Sequence, residues 1–358
     1  MPFADRGPVR MYYESRGRGP AVLLVMGLGM TLSAWWRTVP VLAGSFRVIA
    51  FDNRGVGRSA ASSLPYTVAQ MADDAMAVLD AAGEDAAHVY GISLGGMVAQ
   101  EVALRHPDRV RALVLGATTP GGMRAVAPRE AALSFFARAV SMGAEETAWA
   151  SVPFLYSERT RRRHADRIAA DIARRVRFPV DGRAYGQQVA AAVAHSASAR
   201  LEQIAAPTLV VHGEEDELVP AANGRILAGA IPGAELRLLP HSGHLYATDE
   251  PRADRDIARF LRGHSPRRPR DGDATAPPRG RASRRRWRLS RGRRRAARLL
   301  RILRLGRFPI ARYDRLTVGQ ILPRLDPLSE LQLRRIAERE RAGRARKTVL
   351  AAIARRLD

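Results

Sequence analysis

The segment from Ala87 to Leu104 contains the feature that constrains this chain most, a glycine-flanked serine between a strand-like and a helix-like run. The pentapeptide Gly91-Ile92-Ser93-Leu94-Gly95 has the G-x-S-x-G pattern, which is typical of a sharp strand-to-helix turn. Such a turn pushes the serine hydroxyl out of the sheet and strains its backbone, so the positions two before and two after must carry almost no side chain. Gly91 and Gly95 meet this demand, although an ordinary turn would also satisfy the pentapeptide. The pattern therefore makes Ser93 a candidate nucleophile.

A nucleophilic serine needs a general base and an acid that orients the base, and Ser, acid, His is one of the chain orders in which these groups occur. Residues 207–213 predict a buried strand, and the loop after this strand contains Asp216. Residues 234–239 predict the next strand, and His244 lies in the loop that follows. Open α/β sheets place their ligand sites at the carboxyl ends of strands, so both loops are suitable places for an acid and a base.

Four motifs in this order make residues 9–263 similar to the α/β-hydrolase family, in a version with a helical cap. The resemblance is carried by residues 91–95, by His212 to Pro220, which match H-G-x-x-D-x-x-V-P, and by Gly243-His244. Asp52 to Ser59 also resemble the family's D-x-R-G-x-G-x-S loop. The resemblance implies a sheet flanked by helices and a serine hydrolase that works without a cofactor or a metal ion.

The resemblance also implies a role for each matching residue: Ser93 as nucleophile, Asp216 as acid and His244 as base. The family's oxyanion hole is built from backbone N–H groups, which would here belong to Leu28 and Leu94. This chain departs from the family in one respect, because the loop before Leu28 reads Met-Gly where the family often has His-Gly. The departure concerns the orientation of the oxyanion loop and, through it, the range of substrates.

Other side chains near the predicted acid and base have competing interpretations. Glu214 and Glu215 adjoin Asp216, but carboxylates on loops are usually solvated. His241 lies three residues before His244 and is expected to support the local loop, because the family places glycine directly before its base. A metal pair is disfavoured, since no cysteine or acidic third ligand is near. Structural roles, as buried histidines or as braces of a turn, are expected for four further residues: His88, His212, Asp52 and Arg54.

Between Thr119 and Ala206 the strand pattern stops and helical patterns replace it. Four helices are predicted, with interruptions at Pro153 and Pro179: residues 131–142, 145–152, 158–175 and 185–204. The family resemblance places its cap here, at about residues 120–205, where it would roof the site and exclude water. Apolar side chains of this segment slightly favour an uncharged, hydrophobic substrate: Phe135, Phe136, Trp149, Phe154, Leu155 and Tyr156.

Positive charge is concentrated in the last quarter of the chain. From residue 264 onward there are 29 Lys and Arg against 8 Asp and Glu, so this part carries +21 of the whole chain's +24. Residues 1–263 are nearly neutral, and the asymmetry predicts a boundary near residue 264. We expect a flexible, basic linker over residues 264–307 and a small helical module over residues 308–358, where Thr317 opens a capping box with Gln320.

The basic linker is compatible with several partners. Arg281–Arg304 holds 12 arginines in 24 positions, and part of it can form a basic amphipathic helix that suits an anionic membrane or lipid surface. The same charge suits the phosphates of nucleic acid, and a solvated, disordered run is the third alternative. Residues 308–317 resemble the opening of a short helical module that is appended to various actinobacterial proteins, a resemblance that implies no activity.

Composition narrows the class of protein further. The chain has no cysteine, which excludes disulfides and thiol chemistry. Its longest charge-free apolar stretch, Ala21–Trp36, is short for a membrane span and begins too late for a signal peptide, so a cytoplasmic protein is expected.

Taken with the family resemblance, these observations predict a serine hydrolase that cleaves a carboxylic ester of a small, hydrophobic substrate. The same three residues could instead serve an enol-lactone, a carbon–carbon bond or a polyketide methyl ester. A scaffold that only binds a hydrophobic ligand is the non-enzymatic alternative, and a complete set of serine, acid and base argues against it.

Overall fold

An eight-stranded sheet forms the centre of the larger part of this protein. The computed structural model describes residues 2–265, except Pro8, and, with gaps, residues 310–357. The strands are β1 Phe3–Arg6, β2 Val9–Arg16, β3 Ala21–Val25, β4 Arg47–Phe51, β5 Ala87–Ile92, β6 Val110–Gly116, β7 Thr208–Gly213 and β8 Glu235–Leu239. They lie in the order β1-β2-β4-β3-β5-β6-β7-β8, and all pairs beyond β4 are parallel. The parallel strands therefore end at one edge of the sheet, where the loops after β3, β5, β7 and β8 emerge.

Helices connect the strands and cover the sheet. They are α1 Thr38–Leu42, α2 Val68–Ala81, α3 Leu94–Arg105, α4 Glu130–Ala139, α5 Ala144–Ala150, α6 Val152–Leu155, α7 Glu158–Arg163, α8 Ala165–Arg175, α9 Gly182–Ala194, α10 Ala222–Ala230, α11 Tyr246–Asp249 and α12 Ala253–Gly263. Short 3-10 turns cover Leu32–Trp36, Pro107–Arg109, Gly122–Arg124 and Leu201–Gln203.

Both faces of the sheet are buried, which explains why its inner strands are apolar along their whole length. In β3 all five residues are buried, with Leu23 and Val25 in one core cluster and Val22 and Leu24 in the other. Successive side chains of a strand point to opposite faces, so the first cluster meets α2, α3 and α10 while the second meets α1 and α12. This arrangement confirms the predicted α/β sheet flanked by helices.

The segment between β6 and β7 consists of helices α4 to α9, as predicted for the cap, but three predicted details of these helices were wrong. The predicted helix over 185–204 ends at Ala194, because the chain turns extended at His195 and Ser196 pairs with Gly121 in an isolated bridge. Pro153 does not interrupt a helix but lies in the first turn of α6, where the missing N–H of proline costs nothing. The helix predicted over 158–175 breaks at His164.

The chain divides into two compact units, one ending at Gly272 and one beginning at Asp273. The described residues of the second unit include α13 Val318–Ile321, a 3-10 turn over Leu322–Arg324 and α14 Lys347–Leu357. They share an apolar core of their own: Ile310, Tyr313, Ile321, Leu325, Leu333, Ile336, Ala337, Val349, Ala352 and Ile353. The predicted capping box forms, since Thr317 and Gln320 exchange hydrogen bonds at the start of α13.

The predicted basic linker lies outside the described residues beyond Ser265, and so does the whole of Arg281–Arg304. Its limits and its partners therefore stay predictions. Among the helices that the structure describes, none is both long enough and apolar enough to span a membrane.

Candidate active site

Ser93 lies on the turn between β5 and α3, and its backbone has φ 58° and ψ −122°. Few L-residues adopt this conformation, which has a steric cost because of the Cβ atom. The neighbouring glycines explain why the turn closes at all. A Cβ atom at Gly91 would collide with the carbonyl oxygen of Gly95, and one at Gly95 would collide with that of Val25. The turn is therefore possible only with the two glycines that the sequence provides, and Ser93 remains partly exposed at its tip.

Asp216 and His244 come together from the loops after β7 and β8. The Nδ1 atom of His244 lies 2.8 Å from Oδ2 of Asp216, and both side chains are buried. The other carboxylate oxygen accepts the backbone N–H groups of Leu218 at 2.9 Å and Val219 at 2.8 Å, which fixes the carboxylate plane. With Nδ1 donating to Asp216, the proton-accepting position of a neutral His244 is Nε2. This is the tautomer that a general base toward a serine requires.

The loop of His244 reaches back across the sheet to β5. Tyr246, two residues after the histidine, shares a 2.7 Å hydrogen bond with the hydroxyl of Tyr90, three residues before Ser93. Ser93 Oγ and His244 do not form a hydrogen bond in the described part of the chain. Such bonds are often long in ligand-free sites and tighten when the substrate binds.

His212 is a contact of the acid that the sequence did not reveal. It is buried at the end of β7, where its Nε2 lies 2.9 Å from the carbonyl oxygen of Val219 and 3.3 Å from Oδ2 of Asp216. Since both neighbours are acceptors, Nε2 carries the proton. Burial by itself raises the pKa of Asp216, but the adjacent His244 and the hydrogen bonds from both histidines hold that pKa below its usual value. The signal in the sequence was only the spacing of four residues between His212 and Asp216.

The loop after β3 lies directly against the serine. A Cβ atom at Gly27 would be 3.1 Å from Cβ of Ser93, so a side chain there would force its neighbours to move slightly apart. Within the described residues, the backbone N–H groups of Leu28 and Leu94 have no hydrogen-bond partner. Two free N–H groups beside a serine are what an oxyanion hole requires.

Two amides hold this loop in place where the family often has a histidine. The side-chain N–H of Asn53 donates to the carbonyl of Met26 at 2.8 Å, and the N–H of Gly29 donates to the amide oxygen of Gln188 at 2.8 Å. Gln188 is fully buried and belongs to α9 of the cap. The cap therefore fixes the oxyanion loop directly, and the sequence offered no sign of a contact between residues so far apart in the chain.

The competing residues are placed elsewhere. Glu215 faces away from the acid–base pair, since it accepts the N–H of Glu158 at 3.1 Å and lies 3.3 Å from Nδ1 of the exposed His241. Asp52 accepts the backbone N–H of Leu32 at 2.7 Å and so braces the loop after β3. The other expected structural residues are also paired: Arg54 with Asp74 at 2.6 Å, and the buried His88 with Ser265 at 3.0 Å.

Two cavities lie near the edge of the sheet, one on each side of Trp36. The smaller, of about 30 Å³, is lined by Met26, Ile92 and Leu245, which are chain neighbours of the predicted site residues. The larger, of about 250 Å³, is lined by none of the predicted site residues. The aromatic residues that the sequence predicts to line the substrate pocket do not border either cavity, and Phe135 and Phe154 stack on each other with ring centroids 5.2 Å apart. The apolar lining stays a prediction.

Among the described residues, no group of three His, Asp or Glu side chains is placed to hold a metal ion. The chemistry available at this edge of the sheet is therefore that of a serine hydroxyl, an imidazole oriented by a carboxylate, and two free backbone N–H groups.

The fold and this arrangement define a class of protein, a hydrolase built on a mostly parallel sheet. A model of the α/β hydrolase fold family matches residues 20–251, and the chain belongs to this family.

Relatives of known structure or name fall in the same class. A protein of Variovorax paradoxus named as a carbamate hydrolase, RutD, is 35% identical over 246 residues, which cover 67% of this chain and 91% of that protein. The enol-lactonase of Burkholderia xenovorans superimposes with a TM-score of 0.66 at 28% identity, covering 73% of this chain and 100% of that chain. A thermophilic esterase of Thermogutta terrifontis gives a TM-score of 0.63 at 27% identity, covering 74% of this chain and 97% of that chain.

Proposed function

We propose that this protein is a serine hydrolase that cleaves a carboxylic ester of a small substrate through an acyl-enzyme. The observation that carries the proposal is the 2.8 Å contact between His244 and Asp216 beside a serine on a strained, glycine-flanked turn. A histidine whose Nδ1 is fixed by a buried carboxylate is oriented for proton transfer at Nε2. Strain at an exposed serine is a feature that folds retain mainly where function requires it.

In the proposed reaction, Nε2 of His244 takes the proton of Ser93 as the serine oxygen attacks the ester carbonyl. The negative charge on the carbonyl oxygen is stabilised by the N–H groups of Leu28 and Leu94. His244 then gives its proton to the leaving alcohol, which departs and leaves the acyl group on Ser93. Water enters, loses a proton to His244, and attacks the acyl-enzyme to release the acid. Asp216 stays ionised throughout and stabilises the imidazolium.

The names of the relatives do not identify the bond that is cleaved, because they include a carbamate hydrolase, an enol-lactonase and an esterase. Hydrolysis of a carbamate is the second candidate, favoured by the 35% identity to the Variovorax protein. A lactone, a carbon–carbon bond and a polyketide methyl ester are compatible with the same serine, acid and base. A panel with one compound of each kind, assayed by product release, ranks these alternatives by kcat/KM.

Labelling with a fluorophosphonate probe tests the proposal, because the probe forms a covalent bond only with an activated serine. Ser93→Ala should abolish both labelling and turnover, with a loss on the order of 10⁶ as seen for the nucleophile of a well-studied serine hydrolase. Ser141→Ala is the matched control, since Ser141 is an exposed serine at the end of α4.

A Ser93→Ala variant that keeps more than about a hundredth of the wild-type rate would exclude Ser93 as the nucleophile. If wild-type protein is neither labelled nor active on any compound of the panel, the scaffold binds a ligand without cleaving it.

A separate proposal concerns the basic residues after residue 264. We propose that they attach the protein to an anionic membrane or lipid surface, because +21 of the net charge of +24 belongs to them. Nucleic acid is the rival partner, since phosphates attract the same charge.

A further inference from the structure

Arg175, the last residue of α8, is half-buried and has no ion-pair partner among the described residues. Its Nη1 donates to Oγ of Ser151 at 2.9 Å, and the hydroxyl of Tyr156 is a second neighbour. Among the described residues, no carboxylate oxygen lies within the 4.0 Å of an ion pair with Arg175. Burial lowers the pKa of Arg175, which reflects the cost of keeping its charge away from water. A charge in such a place is normally paired.

Asp171, one turn earlier on α8, is the nearby acid, but its oxygens are already taken. Oδ1 accepts the indole N–H of Trp36 at 2.9 Å and Nε of Arg37 at 3.3 Å. Oδ2 accepts the hydroxyls of Thr248 at 2.7 Å and of Tyr156 at 3.3 Å. Arg37 is therefore the ion-pair partner of Asp171. Asp171 therefore favours the charge of Arg175 only from beyond ion-pair distance, and hydrogen bonds to Ser151 and Tyr156 use only some of the five N–H donors of Arg175.

Arg175 borders a cavity whose lining also includes Asp171 and Arg37. Arg175 lines the 30 Å³ cavity together with Ile92 and Leu245, the residues next to Ser93 and His244. In the same measure one water needs about 10–15 Å³, so the cavity has room for a group the size of a carboxylate.

Tyr185 links Arg175 to the oxyanion loop. Its ring packs so closely on Gly29 that a Cβ atom there would be 2.9 Å from the tyrosine Cδ2. Its hydroxyl is near enough to the guanidinium for each to shift the other's pKa, although burial is the larger cause of the raised pKa of Tyr185, which is about 12. Tyr185 is thus in contact with the loop of Leu28 and close enough to Arg175 to interact with its charge.

We propose that Arg175 is a substrate-binding residue that pairs with a carboxylate carried by the substrate, a few bonds away from the carbonyl that is attacked. The proposal rests on the proposed ester-hydrolase function and names its substrate class, the half-esters or lactones of small dicarboxylic acids. A planar guanidinium binds a carboxylate through two parallel N–H···O bonds, which fixes both position and orientation. The substrate anion supplies the counter-charge that the protein itself does not provide.

The test compares two esters of similar length, the anionic monomethyl glutarate and the uncharged methyl pentanoate. Release of the product acid is followed by pH-stat titration. Monomethyl succinate and monomethyl adipate extend the series to other distances between the two carbonyl groups. Wild-type protein should prefer one of the half-esters over its uncharged counterpart. In Arg175→Met that preference should fall by about 10- to 150-fold, the range for hydrogen bonds to a charged group.

Arg174→Met is the matched control. Arg174 is the preceding residue, but its guanidinium lies over the ring of Trp36 at 3.6 Å and lines the larger cavity, so the preference for the half-ester should persist. Arg175→Lys keeps the positive charge but lacks the paired N–H donors of the guanidinium, so it should retain only part of the preference for the half-ester. Thermal unfolding of each variant shows whether the fold is retained.

Equal losses on the charged and uncharged esters in Arg175→Met would overturn the proposal and make Arg175 a structural residue. A wild-type protein with no preference for any half-ester would overturn it as well. Calorimetry with succinate, glutarate and adipate separates this proposal from the proposed function, because it needs no turnover. Binding of one diacid that is lost in Arg175→Met supports the anion site even if no ester is cleaved. Ester turnover without any diacid binding leaves the hydrolase function standing and removes the anion site.

Discussion

The strained backbone of Ser93 is expected to lower the stability of the fold, and a pair of substitutions at this position can measure the loss in unfolding free energy. At φ 58° and ψ −122° a residue with a Cβ atom is strained, whereas glycine is not. Strain of this kind costs about 1–3 kcal/mol, and glycine loses about 0.5–1 kcal/mol through the greater freedom of the unfolded chain. We therefore expect Ser93→Gly to be more stable than Ser93→Ala by up to about 2.5 kcal/mol. Both variants should be inactive, because neither has a nucleophile.

Urea denaturation followed by tryptophan fluorescence measures the two stabilities, since Trp35 and Trp36 report on the unit that contains Ser93. The control is the same pair of substitutions at Ser141, which is not among the residues with positive φ. There glycine should be the less stable of the two by about 0.5–1 kcal/mol. If Ser93→Gly is also less stable than Ser93→Ala, the turn is not strained and the argument for a functional conformation fails.

Three further predictions concern other parts of the chain. His244→Ala should lower kcat by a factor on the order of 10⁶, whereas His241→Ala should lower kcat by less than about tenfold, since His241 is exposed. The reverse ranking of the two kcat values would make His241 the base. Burial raises the pKa of Asp254 to about 6, so the folded state binds a proton more tightly than the unfolded state and its stability falls as pH rises from about 4 to 6. Relative to wild type, Asp254→Asn should therefore be more stable at pH 8 than at pH 4 by up to about 3 kcal/mol. The same difference in unfolding free energy between variant and wild type at both pH values would contradict this. Removal of the residues after Gly263 should abolish salt-sensitive co-sedimentation with anionic vesicles while ester hydrolysis persists; equal sedimentation, or tighter retention on duplex DNA, would reject the membrane surface as the partner.

Local sequence was sufficient for the turn that carries the candidate nucleophile. Gly91 and Gly95 are needed because backbone atoms a few residues away leave no space for a side chain, and such a requirement can be recognised in a pentapeptide. The inner strands could also be predicted from their continuous apolar runs, since strands buried on both faces are apolar throughout. The order of Ser93, Asp216 and His244 along the chain then predicted which side chains would meet, and the structure brings the acid and the imidazole to 2.8 Å.

Helix limits in the cap were less predictable, because tertiary contacts decide them. Nothing in residues 185–204 breaks the helical pattern, yet the helix ends at Ala194 where Ser196 pairs with Gly121, far away in the chain. Likewise, a helix pattern shows that an aromatic face is buried without showing what buries it, so the predicted apolar lining stays a prediction. Phe135 packs on Phe154 of the cap itself.

The sequence by itself determined the fold class, the turn of Ser93 and the choice of Asp216 and His244 as candidate acid and base, because each depends on short-range sterics or on motif order. Only the tertiary structure decided that Gln188 holds the loop of Leu28, that His212 contacts Asp216, and that Arg175 has no ion-pair partner among the described residues. Whether a polar group is paired depends on which residues surround it in space, and the spacing of residues along the chain does not reveal this, whether the partners are four residues apart or more than a hundred. Tertiary structure is therefore what distinguishes a charge that stabilises the fold from a charge left available for a substrate.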